Sequence, residues 1–225
     1  DISITYTGVF DDKNVGYNKI VTLKSSYSGK DLLNYNIINQ ITTTTHIVKK
    51  ILTISGITCL NKIYDRNNNA SIITSDIIYH DLIDGDQILL HVSGEFDNNN
   101  TGYNKTVTLK SLYSGKDLLN YNIIDQNITS ANISKAPLTI SGIIVNDKIY
   151  NGTDTAYISG ELKLNGILTD DIVNLCGSIT NANFAQKNVG TNLSVFVDIT
   201  SLTIDNFNYI ITSLKKTLKA NIKAA

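Results

Sequence analysis

Asn18–Ile37 reads NKIVTLKSSYSGKDLLNYNI, and Asn104–Ile123 reads NKTVTLKSLYSGKDLLNYNI. The two stretches lie 86 residues apart (18 to 104) and differ only at Ile20/Thr106 and Ser26/Leu112. A diverged third copy runs from Asn192 to Ile211, 88 residues after the second (104 to 192), and keeps Asp205, Asn208 and Tyr209 in register. Self-similarity at a fixed period marks a tandem array, so the repeat is the unit in which the rest of the chain is read.

Working outward gives the boundaries. Asp1–Lys50 is the back half of a repeat, because DISITYTGVF aligns with QILLHVSGEF at Gln87–Phe96. The second repeat takes residues 51–136 and the third 137–225, opening on LTISG at Leu52 and again at Leu138. Since 51–136 and 137–225 are whole repeats, each is long enough to bury a core of its own.

Alternation of apolar and polar residues, as in Ile2, Ile4 and Tyr6 or in ILTISG, predicts strands. Ser28-Gly29, Asp84-Gly85-Asp86 and the Asn98–Gly102 loop predict turns. Strands are expected over Leu33–Ile38, Thr42–Val48 and Leu214–Ile222, and no segment carries a helix signal. Short strands with frequent turns describe a β-sandwich. The spacing Asp31…Tyr35, Asp117…Tyr121 and Asp205…Tyr209 matches the tyrosine corner of immunoglobulin sandwiches, in which the phenol bonds back to upstream chain. The expectation is all-β: tandem immunoglobulin-like β-sandwich repeats, closely joined into an extended rod, each repeat contacting mainly its neighbours.

The net charge is −1, which argues against a nucleic-acid partner or an anionic membrane surface. No apolar run approaches the ~20 residues of a membrane-spanning helix, so no membrane insertion is expected. Charged residues make up 17%, and Asn, Ser and Thr supply the remaining polarity. Cys59 and Cys176 occupy non-equivalent positions, so no disulfide recurs with the repeat, and both read as buried or half-buried thiols. The chain starts at Asp1 and holds no Met, which reads as a mature or excised piece.

Candidate sites are few. His46, His80 and His91 form no metal-ligand or triad spacing. Asp84/Asp86 and Asp170/Asp171 could offer carboxylates to Ca²⁺, but the six to eight oxygens it needs are not in view, and plain turns suffice. Catalytic residues, cofactor ligands and metal ligands are therefore not assigned. Tyr64-Asp65 and Tyr150-Asn151 read as structural turns. Asn98, Asn99 and Asn100 form a candidate binding loop, equivalent to Asp11–Gly16 and Gln186–Gly190. Asn-x-Ser/Thr acceptors such as Asn69 and Asn104 would matter only in a eukaryotic secretory pathway, and a Lys–Asn isopeptide cross-link has no assignable site.

The ordered motifs resemble the YDG-type repeats of bacterial surface proteins and filamentous-haemagglutinin-like adhesins. Those motifs are LTISG at Leu52 and Leu138, KIYDR at Lys62 and KIYNGT at Lys148. They continue with GDQI at Gly85 and DDIV at Asp170, then FDDKNVG at Phe10, FDNNNTG at Phe96 and FAQKNVG at Phe184, and Asn-Tyr at Asn34, Asn120 and Asn208. Arg66 stands where the motif has glycine, and Asn151 where it has aspartate. The resemblance implies a secreted or cell-surface structural protein, a non-catalytic stalk or fibre segment, with a virion surface fibre as the alternative location. Separately from the resemblance, the first copy lacks the strands that open the other two, so further copies of the same repeat are expected partners by strand addition into filaments, and the repeated loops make a host surface glycan or protein the other candidate.

Overall fold

The computed structural model describes residues 1–225. The chain is all-β, with several small sheets and two one-turn 3-10 helices at Leu32–Asn34 and Leu118–Asn120. It divides into two compact units, each assembled from discontinuous segments. One comprises Asp1–Thr58, Ile72–Gly94 and Leu109–Thr129; the other comprises Cys59–Ser71, Glu95–Thr108 and Ser130–Ala225. The first unit therefore holds the place where the first repeat meets the second, and the other holds the place where the second meets the third.

In the first unit, Ser3–Phe10 pairs antiparallel with Gly16–Ser28, which pairs in turn with Thr42–Ile47. The LTISG strand, Lys50–Ser55, alternates as its sequence demands: Leu52 and Ile54 are buried, while Thr53 and Ser55 are half-exposed. It pairs in parallel with Tyr121–Ile124 and antiparallel with Ile78–His80. Gly56 ends it at φ +85°, where an added Cβ would come within 2.1 Å of the Asp76 carbonyl oxygen; only glycine fits.

In the other unit the same plan recurs. Ala136–Ser141 pairs in parallel with Tyr209–Ile211 and antiparallel with Lys163–Asn165. A four-stranded sheet runs in the order Lys148–Ile149, Lys215–Lys223, Gly190–Asp198, Asn181–Phe184. Phe184, Val195, Val197, Ile199, Ala220 and Ile222 fill the core beneath it. The long strand from Gly190 carries a bulge with Asn192 at φ +53°, and Asn18 and Asn104 hold the equivalent place at +52° and +48°. The recurring Gly-x-Asn thus marks a backbone position with φ > 0, which Asn tolerates better than most residues.

Three expectations need correction. The segment Leu33–Ile38 is not a strand: Leu32–Asn34 forms a 3-10 turn and the residues from Tyr35 to Ile41 are irregular. In the second repeat the matching turn, closed by Asn120 N–H to the Asp117 carbonyl at 3.0 Å, reverses the chain before Tyr121–Ile124 pairs with the LTISG strand. No strand pairs with the segment after Tyr35, so it has no ladder to hold it extended. Short 3-10 turns also occur where no helix signal is present, since such a turn needs only a reversal and a local hydrogen bond. Cys176 is exposed, while Cys59 is half-buried and its thiol pKa is pushed up by burial.

Candidate functional site

Two joints between repeats bring together most of the recurring motif residues, and each lies within one compact unit. Their acceptor half is the tyrosine corner. Tyr121 is buried; its hydroxyl donates to Asp86 Oδ2 at 2.8 Å and accepts from the Ile83 N–H at 3.0 Å. Tyr209 repeats this with Asp171 Oδ2 at 2.6 Å and the Leu168 N–H at 3.1 Å. Burial pushes both phenol pKa values up. Asp117 accepts the Gln87 N–H at 2.9 Å, and Asp205 accepts the Asn174 N–H at 2.8 Å. These bonds tie the corner to the acidic turn upstream and leave Asn120 or Asn208, the residue before each tyrosine, facing the preceding repeat.

That asparagine makes the same pair of bonds in both joints. In the first, Val15 N–H donates to Asn120 Oδ1 at 2.9 Å, and Asn120 Nδ2 donates to Asn14 Oδ1 at 3.1 Å. In the second, Thr101 N–H donates to Asn208 Oδ1 at 2.9 Å, and Asn208 Nδ2 donates to Asn100 Oδ1 at 3.0 Å. An amide side chain suits this place because it offers an acceptor and a donor together. The donor loop holds its own shape with a turn of the Asx type: Asn14 N–H bonds Asp12 Oδ1 at 2.6 Å, and Asn100 N–H bonds Asn98 Oδ1 at 3.0 Å.

The charge at each joint comes from a different residue. In the first, Lys13 bonds Asp86 and lies 3.1 Å from Asp117 Oδ1, both carboxylates being 5% exposed. The Lys13 ammonium holds the Asp86 carboxyl below its ordinary range, and the Gln87 N–H followed by Lys13 does so for Asp117. In the second joint Asn99 replaces that lysine and donates to the Arg66 carbonyl at 2.7 Å. Arg66 supplies the cation, reaching Asp170 at 3.2 Å and Asp171 at 3.1 Å. Its backbone lies at φ +69° and that of Gly152 at +79°, so the motif's glycine is there for left-handed geometry. Arg66 adopts the same geometry and puts its guanidinium on the next corner.

The KIY element is the frame of the donor half. Lys62 Nζ donates to the Asn67 and Asn69 carbonyls at 2.8 and 3.2 Å, and lies 5.7 Å from the centre of the Phe96 ring. Lys148 does the same with the Thr153 and Thr155 carbonyls and Phe184. Asp65 Oδ1 accepts the Asn67 N–H at 3.1 Å, and Asn151 Oδ1 accepts the Thr153 N–H at 3.2 Å, so the aspartate-to-asparagine departure keeps the bond that shapes the turn. Tyr64 meets Tyr209 edge-to-face at 5.5 Å and is 6% exposed. Tyr150 is 40% exposed.

Of the residues singled out from sequence, Asp117, Tyr121, Asp205, Tyr209 and Tyr64 thus lie in or behind the joints. The corner expected at Asp31 and Tyr35 is not formed: Asp31 bonds the amino group of Asp1, and Tyr35 is 64% exposed, with no acidic turn against its hydroxyl such as Asp86 and Asp171 give Tyr121 and Tyr209. Asn98, Asn99 and Asn100 are engaged with Lys105, the Arg66 carbonyl and Asn208. Asp86 and Asp171 face Lys13 and Arg66 respectively. Sequence reasoning missed Lys13, Asn14, Val15, Asn120 and Asn208 as a set. The signal was present, because KNVG-type loops and Asn-Tyr recur once per repeat, but nothing in one dimension says that the loop of one repeat meets the corner of the next. A groove of about 560 Å³ lies beside the second joint, lined by Tyr103, Ile133, Lys135 and Ile210 among others, with no carboxylate or histidine on its wall. No helix is long and apolar enough to cross a membrane.

Among curated proteins none matches the sequence. Among solved structures, Drosophila N-cadherin EC1-3 aligns over 98% of this chain and 89% of its own, at 8% identity and a TM-score of 0.26, too loose a likeness to carry a conclusion. The YDG domain matches twice, over residues 48–130 and 134–217. These two stretches take in most of the chain and contain both tyrosine corners that receive a donor loop, and the chain belongs to the YDG domain family.

Proposed function

We propose that the chain is a structural, non-catalytic repeat segment of an extracellular surface fibre or adhesin stalk, built of immunoglobulin-like sandwiches in an extended rod. The supporting observation is that the family's recurring residues bond to one another across the joints: Asn120 to the Asn14-Val15 loop and Asn208 to the Asn100-Thr101 loop. Side chains that recur in every repeat and act between repeats suit an element whose task is to hold spacing. Near-identity of the first two copies fits the same task, since length then changes by duplication. The binding-module alternative, with a host glycan or protein on the Asn98–Asn100 loop, has less to work with, because those amides already have partners.

Small-angle scattering tests the proposal. Sandwiches of ~35–40 Å placed end to end give a radius of gyration of about 27 Å or more, whereas a single globule of this length gives about 17 Å. A value near the smaller figure would refute the rod, and saturable binding to a glycan array would favour the module.

A further inference from the structure

The third repeat carries a donor half of the same kind whose groups meet no corner, although Gln186 stands where Asp12 and Asn98 make the Asx-type turn. Its KIY frame repeats the main backbone bonds of the second repeat's. Tyr150 N–H donates to the Lys223 carbonyl at 2.8 Å, as Tyr64 N–H does to Ser134 at 2.8 Å. Phe184 N–H donates to the Asp154 carbonyl at 2.7 Å, as Phe96 N–H does to Asn68 at 2.8 Å. The Lys148–Phe184 contact, 5.8 Å, repeats Lys62–Phe96. The loop it supports reads Lys187-Asn188-Val189-Gly190, the same four residues as Lys13-Asn14-Val15-Gly16 of the first joint. Lys187, Asn188 and Val189 are all exposed, and Tyr150 is far more exposed than its docked counterpart Tyr64. The base of the loop differs, since Leu193 stands where Lys105 does, but the bulge after Gly190 is retained.

We infer that Tyr150 and Lys187–Val189 form a docking site for the tyrosine corner of a further copy of this repeat, of the second repeat's type rather than the third's. The choice follows from charge. The third repeat's corner is met by an arginine at the motif's glycine position, and here that position is Gly152. The second repeat's corner, with Asp86, Asp117, Asn120 and Tyr121, is met by Lys-Asn-Val, which is what this end presents. In the docked state Val189 N–H donates to the asparagine Oδ1, the asparagine Nδ2 donates to Asn188 Oδ1, Lys187 faces the two carboxylates, and Tyr150 packs edge-on against the corner tyrosine. This deepens the reading of the chain as a repeat segment and rests on it.

The test extends the full chain in register with its own residues 51–136 placed directly after Ala225, the same spacing that Ala136 has to Pro137. Amide hydrogen exchange is followed at Val189. Exchange slowed about tenfold or more relative to the 225-residue chain is expected, with the protection lost on Asn120→Ala in the added copy and reduced by Lys187→Glu. Slow-exchanging Leu52 and Val107 amides in the added copy report that it has folded. A folded added copy with Val189 exchanging at the unextended rate overturns the inference, and so does an added copy that unfolds separately from the rest. Scattering from the 225-residue chain tests the spacer reading on its own, so the two failures are distinguishable.

Discussion

Replacing Asn208 by alanine should loosen the second joint while leaving the third repeat folded. The side chain accepts the Thr101 N–H at 2.9 Å and donates to Asn100 Oδ1 at 3.0 Å, from a site that is buried. Losing two net hydrogen bonds costs about 1–3 kcal/mol, and leaving the half-buried Thr101 N–H without a partner adds about 1 kcal/mol, for a total of roughly 2–4 kcal/mol. That cost falls on local opening of the joint, so the direct assay is exchange of the Thr101 amide, which should speed up by about 1.5 to 3 orders of magnitude at ~1.4 kcal/mol per tenfold. Asn208→Asp retains the acceptor for Thr101 but sets a carboxylate against Asn100 Oδ1, so it should lose less of the Thr101 protection than alanine does. Asn34→Ala is the internal control: it is the same position of the first repeat, on an exposed turn, and should change stability by less than about 0.5 kcal/mol. If Thr101 exchanged equally slowly in the alanine variant and the parent, the asparagine would not hold the joint and the reasoning would fail.

Tyr209→Phe leaves the Leu168 N–H without its acceptor and should destabilise by about 1–3 kcal/mol in urea melts, whereas Tyr35→Phe should be silent. Leu52→Ala empties a site with no solvent exposure and should cost about 2–5 kcal/mol, against almost nothing for the exposed Leu119→Ala. At position 66, glycine should give a more stable protein than alanine in thermal melts: both lose the ion pairs to Asp170 and Asp171, but only alanine keeps the left-handed strain. The first joint should be sensitive to pH at both extremes. Asp86 and Asp117 have folded pKa values below the ordinary 3.8, so their contribution is complete above that value and disappears as pH falls through the lower, folded values. Lys13 is raised above 10.5 by Asp86 and then Asp117, so its contribution is complete below 10.5 and disappears as pH rises through the higher value. Val15 amide protection should hold between these limits and drop at each; a Val15 amide indifferent to acid would refute the pairing.

The repeated domain and the all-β character were legible in one dimension. Near-identical stretches announce a tandem array, and alternation such as Leu52-Thr53-Ile54 announces a strand, because a β-chain presents successive side chains to opposite faces. The recurring spacing pointed to Tyr121 and Tyr209, which are buried, but equally to Tyr35, which is exposed, because spacing alone does not supply the acidic turn that Asp86 and Asp171 provide. What one dimension could not hold was the partnership of Lys13, Asn14 and Val15 with Asp86, Asp117 and Asn120, or of Arg66 with Asp170 and Asp171. Each group is an ordinary polar residue of a turn within its own repeat. Its role depends on meeting another repeat about 70 to 110 positions away, a distance along the chain that no local pattern encodes. Tertiary structure also decided which cation serves each corner: lysine from the loop in one joint, arginine from the KIY turn in the other. Either can reach the same acidic turn in space, so the motif's letters could change while the electrostatic match was kept.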